Sequence, residues 1–376
     1  MSPTACRPCL RRAGLLEALS PLIEVVAMRQ AGSSAPELLA MSDDQLVRKL
    51  APRGSPGMRR ALARAAGPSV LEARQRNSGV WSVCRHRDEY PEPLRDLGAE
   101  APAALFGRGH RDALADLAER RAVAIVGARR ASGYGRTVGR DLARQLSVAG
   151  VRVISGLANG VDAAAHDGAL AGSAQTIAVL GSGADRVYPR QQSGLYERVL
   201  ASGAALSELP PGAPPRRWTF PARNRIIAAL SAMTVVVAAA DRSGSLITAE
   251  MAADLGREVG AVPGPVNAPS HAGANRLLVD GARVIRGGQD ALDALFGPGE
   301  RAVAEVGPDP GIGGRAVLAE IERGATPDAV AATLALPPAE VSAGLARLEL
   351  DGYVVGDAGG RYERTSLDMP PPGSPE

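Results

Sequence analysis

From residue 122 to residue 286, apolar runs of strand length alternate with amphipathic stretches of helical length, and nothing else in the chain restricts the fold as strongly. The runs are AVAIVG at 122–127, VRVIS at 151–155, TIAVLG at 176–181, AALSE at 204–208, TVVVAA at 234–239, EVGAVP at 258–263 and RVIR at 283–286. Strands apolar on both faces and separated by helices predict an α/β fold with a doubly wound, Rossmann-like parallel sheet core over residues 121–296. Ligands of such folds bind at the carboxyl ends of the strands. The glycine-rich turns of this chain fall there.

The flanks read differently. Leu15, Leu16, Leu19, Leu22 and Ile23, then Leu38, Leu39, Leu46 and Leu50, recur at helical spacing. They predict a small N-terminal helical (SAM-like) domain of short helices over residues 1–75, with breaks at Ala31–Ser34 and Arg53–Gly57. Residues 76–120 read as a connector, with a short apolar piece at Ala104–Phe106. A Gly/Pro linker follows the core at 297–313. Beyond it, three short helices and the hairpin pattern GYVV–DAGG–RYER predict a winged helix over 314–366, ahead of a disordered tail, 367–376. Its third helix, PAEVSAGLARLEL, carries one Arg against two Glu, which suits a protein-interaction module better than a DNA groove reader.

Charge narrows the function. Net charge is +4 over residues 1–100, +5 over 101–300 and −6 over 301–376. A nucleic-acid surface is therefore expected in the first two segments. Lys49 is the only lysine, so neither a Walker phosphate loop nor a Schiff-base lysine fits the middle of the chain. With three cysteines, no signal peptide and no apolar run of membrane-spanning length, the expectation is a soluble protein of the reducing cytoplasm with no membrane partner. Within RRWTFPARNRII (216–227), Arg216, Arg217, Arg223 and Arg225 surround Trp218 and Phe220, and no Asp or Glu occurs between Leu209 and Ala240. Such charge must be answered by solvent or by an anion. Guanidinium groups beside exposed rings suit single-stranded nucleic acid, with phosphates on the arginines and unstacked bases on the rings. The plainer alternative is a basic loop around core aromatics.

The strand ends carry less specific signals. VGARRASGYG (126–135) puts Arg129 and Ser155 where a dinucleotide site needs a glycine and an acid, so NAD or FAD is not expected, although a phosphate can still sit on the helix N-terminus. Asp162 and His166 share a helix face as an acid–base pair or, more plainly, as a loop cap. Gly244 and Ser245 open another helix and offer amides to an anion. Cys6, Cys9, Cys84 and His86 form a CxxC and CxH pair compatible with one structural zinc, the alternative being unligated thiols and a surface histidine. No other cofactor is expected.

GARRASGYG, SGLANGVDAAAH, GSGADRVYP, SELPPG, FPARNRII, SGSLITA and AVPGPV occur in the order and approximate spacing of the DNA-processing protein A family (DprA, also called Smf), which the chain resembles over about residues 80–290. The helical and winged-helix flanks resemble that family's flanking domains. The resemblance implies a non-enzyme that binds and protects single-stranded DNA, dimerises through its α/β core and loads RecA recombinase during natural transformation. It implies DNA-binding roles for Gly127, Arg129, Arg217, Phe220, Arg223, Asn224 and Arg225. Ala238 stands where the family usually has a Glu, and Asn159 where it often has a basic residue. The alternative is a nucleotide-processing enzyme of the phosphoribohydrolase type, with Glu250 as its acid; RSGSLITAE lacks the paired glycines of that enzyme's loop.

Overall fold

The apolar runs of the core all form strands in the computed structural model, which describes residues 5–29, 34–50, 56–117, 122–298, 309–357, 359–365 and 367. Together with two earlier strands they make one sheet: β1 (Trp81–Cys84), β2 (Ala104–Gly109), β3 (Ala122–Val126), β4 (Arg152–Ser155), β5 (Thr176–Val179), β6 (Ala204–Ser207), β7 (Met233–Val236), β8 (Glu258–Ala261) and β9 (Arg283–Val284). The order across the sheet is β1-β2-β6-β5-β4-β3-β7-β8-β9. From β6 to β9 all neighbours are parallel. The chain enters at β3, winds one way to β6, then returns to β7 and winds the other way. The winding therefore reverses beside β3, where the loops after β3 and β7 part and open a crevice.

Alternation along β3 shows why the strands read as continuous apolar runs. Ala122, Ala124 and Val126 join Ile226, Ile227 and Leu230 of α9 (Thr219–Leu230) on one face. Val123 and Ile125 join Leu142 and Leu146 of α6 (Gly133–Val148) and Val161 of α7 (Val161–Ala169) on the other. Each buried Val, Leu or Ile of these faces contributes about 1.5–3 kcal/mol.

The connector is a correction. β1 and β2 pair antiparallel with each other, and β2 pairs antiparallel with β6, so residues 81–109 extend the sheet. WSVC and ALFGRG are short and mixed in polarity and lack the long apolar run that marks the central strands; β1 forms the edge and β2 joins it to β6.

At the N-terminus, α1 (Arg7–Arg29) is one helix of 23 residues with Pro21 inside it, where the sequence suggested shorter pieces. It packs with α2 (Ser34–Ala40), α3 (Asp43–Leu50), α4 (Pro56–Arg64) and α5 (Pro68–Ser78). Leu19, Ile23, Leu38 and Leu46 bury against Leu209, Ala213, Trp218 and Ala222. Helical module and sheet thus share a core, and residues 1–302 form one compact unit.

The second unit covers residues 303–376. Its helices α13 (Gly311–Glu322), α14 (Pro327–Leu334) and α15 (Pro338–Leu350) and the hairpin of β10 (Val354–Gly356) and β11 (Tyr362–Arg364) are the winged-helix pattern. Val317, Leu318, Ile321, Val330, Val341, Leu345 and Tyr353 fill its core. Residues 299–308 of the expected linker and 368–376 of the expected tail lie outside the described residues. Among the described residues no single helix is long and apolar enough to cross a membrane.

Candidate nucleic-acid interface

A crevice of about 330 Å³ opens where the winding reverses, between the loop after β3 and α10 (Gly244–Asp254), which follows β7. Gly127, Arg129, Phe220, Arg223, Asn224, Gly244 and Ser245 all line it. A second hollow of about 100 Å³ adjoins it and shares Arg129, Phe220 and Arg223, adding Asn159, Tyr188 and Pro189. Gly127 allows the walls to meet: a Cβ there would lie 2.6 Å from Val161 Cγ2 and 3.0 Å from the Ala238 carbonyl.

Helix α9 sorts the basic segment by face. Phe220, Arg223, Asn224 and Ile227 repeat at i, i+3, i+4 and i+7 and turn toward the crevice. At about 100° per residue, Arg225 is about 200° round from Arg223 and points the other way. It is 1 % exposed, donates to Glu208 Oε1 at 2.7 Å, and also to the Ala222 and Glu100 carbonyls at 2.7 and 3.1 Å. The expected phosphate contact from Arg225 is therefore withdrawn, and its role is to hold α9 to the sheet. Arg217 does not line the crevice; it is exposed just before α9, its backbone N–H donating to Glu24 Oε1 at 2.9 Å.

The expectation that only solvent or a ligand answers the arginines also fails, because the carboxylates come from far along the chain. Arg216 pairs with Glu24 at 2.9 Å, Arg225 with Glu208, and Arg223 faces Asp162 at 3.9 Å. Trp218 is likewise a buried side chain, its indole N–H donating to Ser20 Oγ at 3.0 Å. Arg129 differs from these. It is exposed and has no carboxylate partner among the described residues, and its guanidinium carbon sits 5.3 Å from the Phe220 ring centroid in a cation–π arrangement.

Arg223 forms the crevice floor. It donates to the Gly156 carbonyl at 2.8 Å and to the Val179 carbonyl, and a Cβ at Gly156 would collide with its guanidinium. Burial pulls its pKa down to about 10, and the nearby Arg129 adds to that against the counter-pull of Asp162. Burial pushes the Asp162 carboxyl up even though Arg223 and the Ala158 N–H oppose it. An anion entering here would relieve the mutual repulsion of the two arginines. His166 is not a site residue: it is fully buried, Nδ1 lies 2.9 Å from Thr176 Oγ1, and burial holds its pKa at about 3. Asp162 accepts from the Ala158 N–H at 3.4 Å, so the pair orders loops as in the plainer reading.

At the start of α10 the amides are less free than the sequence suggested. Ser243 Oγ caps the Ser245 N–H at 3.4 Å and lies 2.7 Å from Ser245 Oγ, and Ser245 is buried while Gly244 is exposed. Asn224 Nδ2 donates to the Gly244 carbonyl at 3.3 Å, which ties α10 to α9. Tyr188 was missed by sequence reasoning. It is 46 % exposed, and its ring lies 5.4 Å from Phe220 at a 38° tilt, widening the aromatic platform. An aromatic in the glycine-rich loop GSGADRVYP was the available signal. Glu250 is exposed and lines neither hollow. Away from the crevice, the ligand atoms of Cys6, Cys9, Cys84 and His86 converge.

A family model described as DNA recombination-mediator protein A matches residues 81–296, and the DprA winged helix domain model matches 313–360. A DNA processing protein DprA of Mycobacterium tuberculosis is 36 % identical over 372 residues, spanning 94 % of this chain and 90 % of the relative. The crystal structure of DNA processing protein A from Streptococcus pneumoniae is similar with a TM-score of 0.60 at 30 % identity, over 78 % of this chain and 99 % of that one. The structure of DNA processing protein A from Helicobacter pylori, described for its single-stranded DNA binding mode, has a TM-score of 0.51 at 28 % identity, over 58 % of this chain and 95 % of that one. A matched core that coincides with the crevice-bearing sheet, and a relative that spans nearly the whole chain, place this protein in the DNA recombination-mediator protein A (DprA) family.

Proposed function

We propose that this chain binds single-stranded DNA across the crevice, with phosphates at Arg129 and Arg223 and an unstacked base on the Phe220–Tyr188 platform. The observation that carries the reading is the exposed Arg129 resting on the partly exposed Phe220 ring, with no direct ion pair to a carboxylate among the described residues. A cation and a π-face meet there, as a nucleotide's two halves require. Arg217, exposed three residues before Phe220, offers a further positive charge to the strand. The single-stranded DNA binding mode described for the Helicobacter pylori relative supports the same reading.

From family membership we propose a wider role: a cytoplasmic homodimer that processes incoming DNA in natural transformation, protects the strand and passes it to RecA recombinase, without catalysis of its own. Glu250, the acid that the phosphoribohydrolase reading requires, lies outside both hollows, and the crevice carboxylate Asp162 faces Arg223. The decisive test is a pair of binding isotherms on single- and double-stranded oligonucleotides over a salt series. Single strands are expected to bind more tightly, with a log–log salt slope of roughly −0.7 per phosphate contacted. Equal affinity for duplex, or a slope near zero, would sink the proposal. Pull-down with the cognate RecA tests the partner, and release of free base from AMP would overturn the non-enzymatic reading.

A further inference from the structure

Three thiols and an imidazole from opposite ends of the N-terminal region meet on one spot. Cys6 and Cys9 sit on the first turn of α1, where the Leu10 N–H already bonds the Cys6 carbonyl at 3.0 Å; residues three apart on a helix share a face. Cys84 ends β1 and His86 lies in the turn that follows, closed by the Arg87 N–H donating to the Cys84 carbonyl at 2.9 Å, which folds the chain back toward the Cys84 side chain. The tight CxH spacing is therefore suited to two ligands on one ion.

The distances fit a single metal. The four ligand atoms all lie within 4.8 Å of one another, and His86 Nδ1 is 3.3 Å from both Cys6 Sγ and Cys9 Sγ. A tetrahedral zinc with bonds of about 2.3 Å to sulfur and about 2.0–2.1 Å to nitrogen puts neighbouring ligand atoms roughly 3.5–3.8 Å apart. The surroundings are arranged as second shells usually are. The Cys6 backbone N–H donates to Cys84 Sγ at 3.4 Å, an outer hydrogen bond of the kind that orients a ligand sulfur. Arg95 forks onto the carbonyls of Arg85 and Arg87, on either side of His86, at 2.9 and 3.2 Å. Cys9 and Cys84 are buried among Leu10, Leu71, Val80 and Phe106, whereas the exposed His86 ring turns inward onto two sulfurs. Packing alone explains buried thiols. It does not explain an exposed imidazole aimed at them.

We propose that Cys6, Cys9, Cys84 and His86 bind one zinc ion as a closed structural site that fastens the start of α1 to the end of β1. Four protein ligands leave no open position, so the ion would act on folding and not on chemistry. It would add to the Ala5 N–H to Ser82 Oγ bond of 2.9 Å, which already links the same two segments.

The test uses the full chain, purified without a histidine tag and with reductant present. Elemental analysis is expected to give about one zinc per chain, released as the thiols are titrated with a mercurial. Cobalt(II) in place of zinc should show the intense visible bands of a tetrahedral site and thiolate-to-metal charge transfer. Cys9→Ser should lose the metal. Because Cys9 is buried, His86→Ala serves as the second variant: exposed, it should leave the fold intact by circular dichroism yet give up zinc to a chromogenic chelator far faster than the parent. Less than about a tenth of a zinc per chain, a weak octahedral cobalt spectrum, or zinc held equally well by His86→Ala would each overturn the proposal.

Discussion

Phe220 and Arg225 lie five residues apart on one helix, and their substitution should fail in opposite ways. Phe220→Ala removes a partly exposed ring, so it is expected to cost about 1–3 kcal/mol of single-stranded DNA affinity, measured by anisotropy, while leaving the salt slope unchanged. Arg129→Glu should nearly abolish binding with little change in melting temperature, since its side chain is exposed and has no carboxylate partner among the described residues. Arg225→Ala should instead destabilise the fold by about 3–5 kcal/mol in urea titrations, because it strands Glu208 without its partner. His166 adds a pH dependence. Its folded pKa of about 3 lies below the ordinary value near 6.5, so the unfolded chain takes up the proton first. Stability from this group is complete above about pH 6.5 and is lost as pH falls toward 3, by up to about 1.4 kcal/mol per unit. Asp162, whose carboxyl is pushed up, works against it, while Arg223 adds to the depression of His166. Comparing urea midpoints from pH 7 to pH 4 for the parent and for His166→Gln isolates the histidine: the variant should show the shallower fall.

Helix α9 is the element on which interface and architecture meet. Trp218 at its entrance buries against Leu19 and Ile23 of α1 and bonds Ser20, while Arg216 pairs with Glu24. Trp218→Ala is expected to cost about 3–5 kcal/mol and to expose the N-terminal helices to limited proteolysis before the sheet is cut. The same element shows what the sequence could and could not reveal. Its charge and its Phe220 were legible because composition is local. The partners were not, since Glu24 is 192 positions from Arg216 and Asp162 is 61 positions from Arg223. The central strands were legible from unbroken apolar runs that only a doubly covered sheet needs. β1 and β2 were not, because short antiparallel strands at the margin of a sheet need no such run. The winged helix was legible through its three periodic helices and its glycine turn.

Across the whole molecule, positive charge belongs to the unit of residues 1–302 and negative charge to the unit of residues 303–376. A chain ending at residue 302 is therefore expected to fold and to keep single-stranded DNA affinity and salt slope within about twofold, as binding at 5 °C and a melting curve would show; loss of binding would assign part of the interface to the winged helix. The paired arginines of α9 also bear on transplantation. A free peptide RRWTFPARNRII would present four unopposed guanidinium groups and two loose aromatic rings, and would adhere to any polyanion. Folding removes Arg216 and Arg225 from circulation, buries one ring, sets Arg223 in the floor of the crevice, and joins to it an Arg129 delivered by a different loop. Selectivity in this protein is thus reached by subtraction, and the segment cannot be grafted onto another scaffold without Glu24 and Glu208, the carboxylates that edit it.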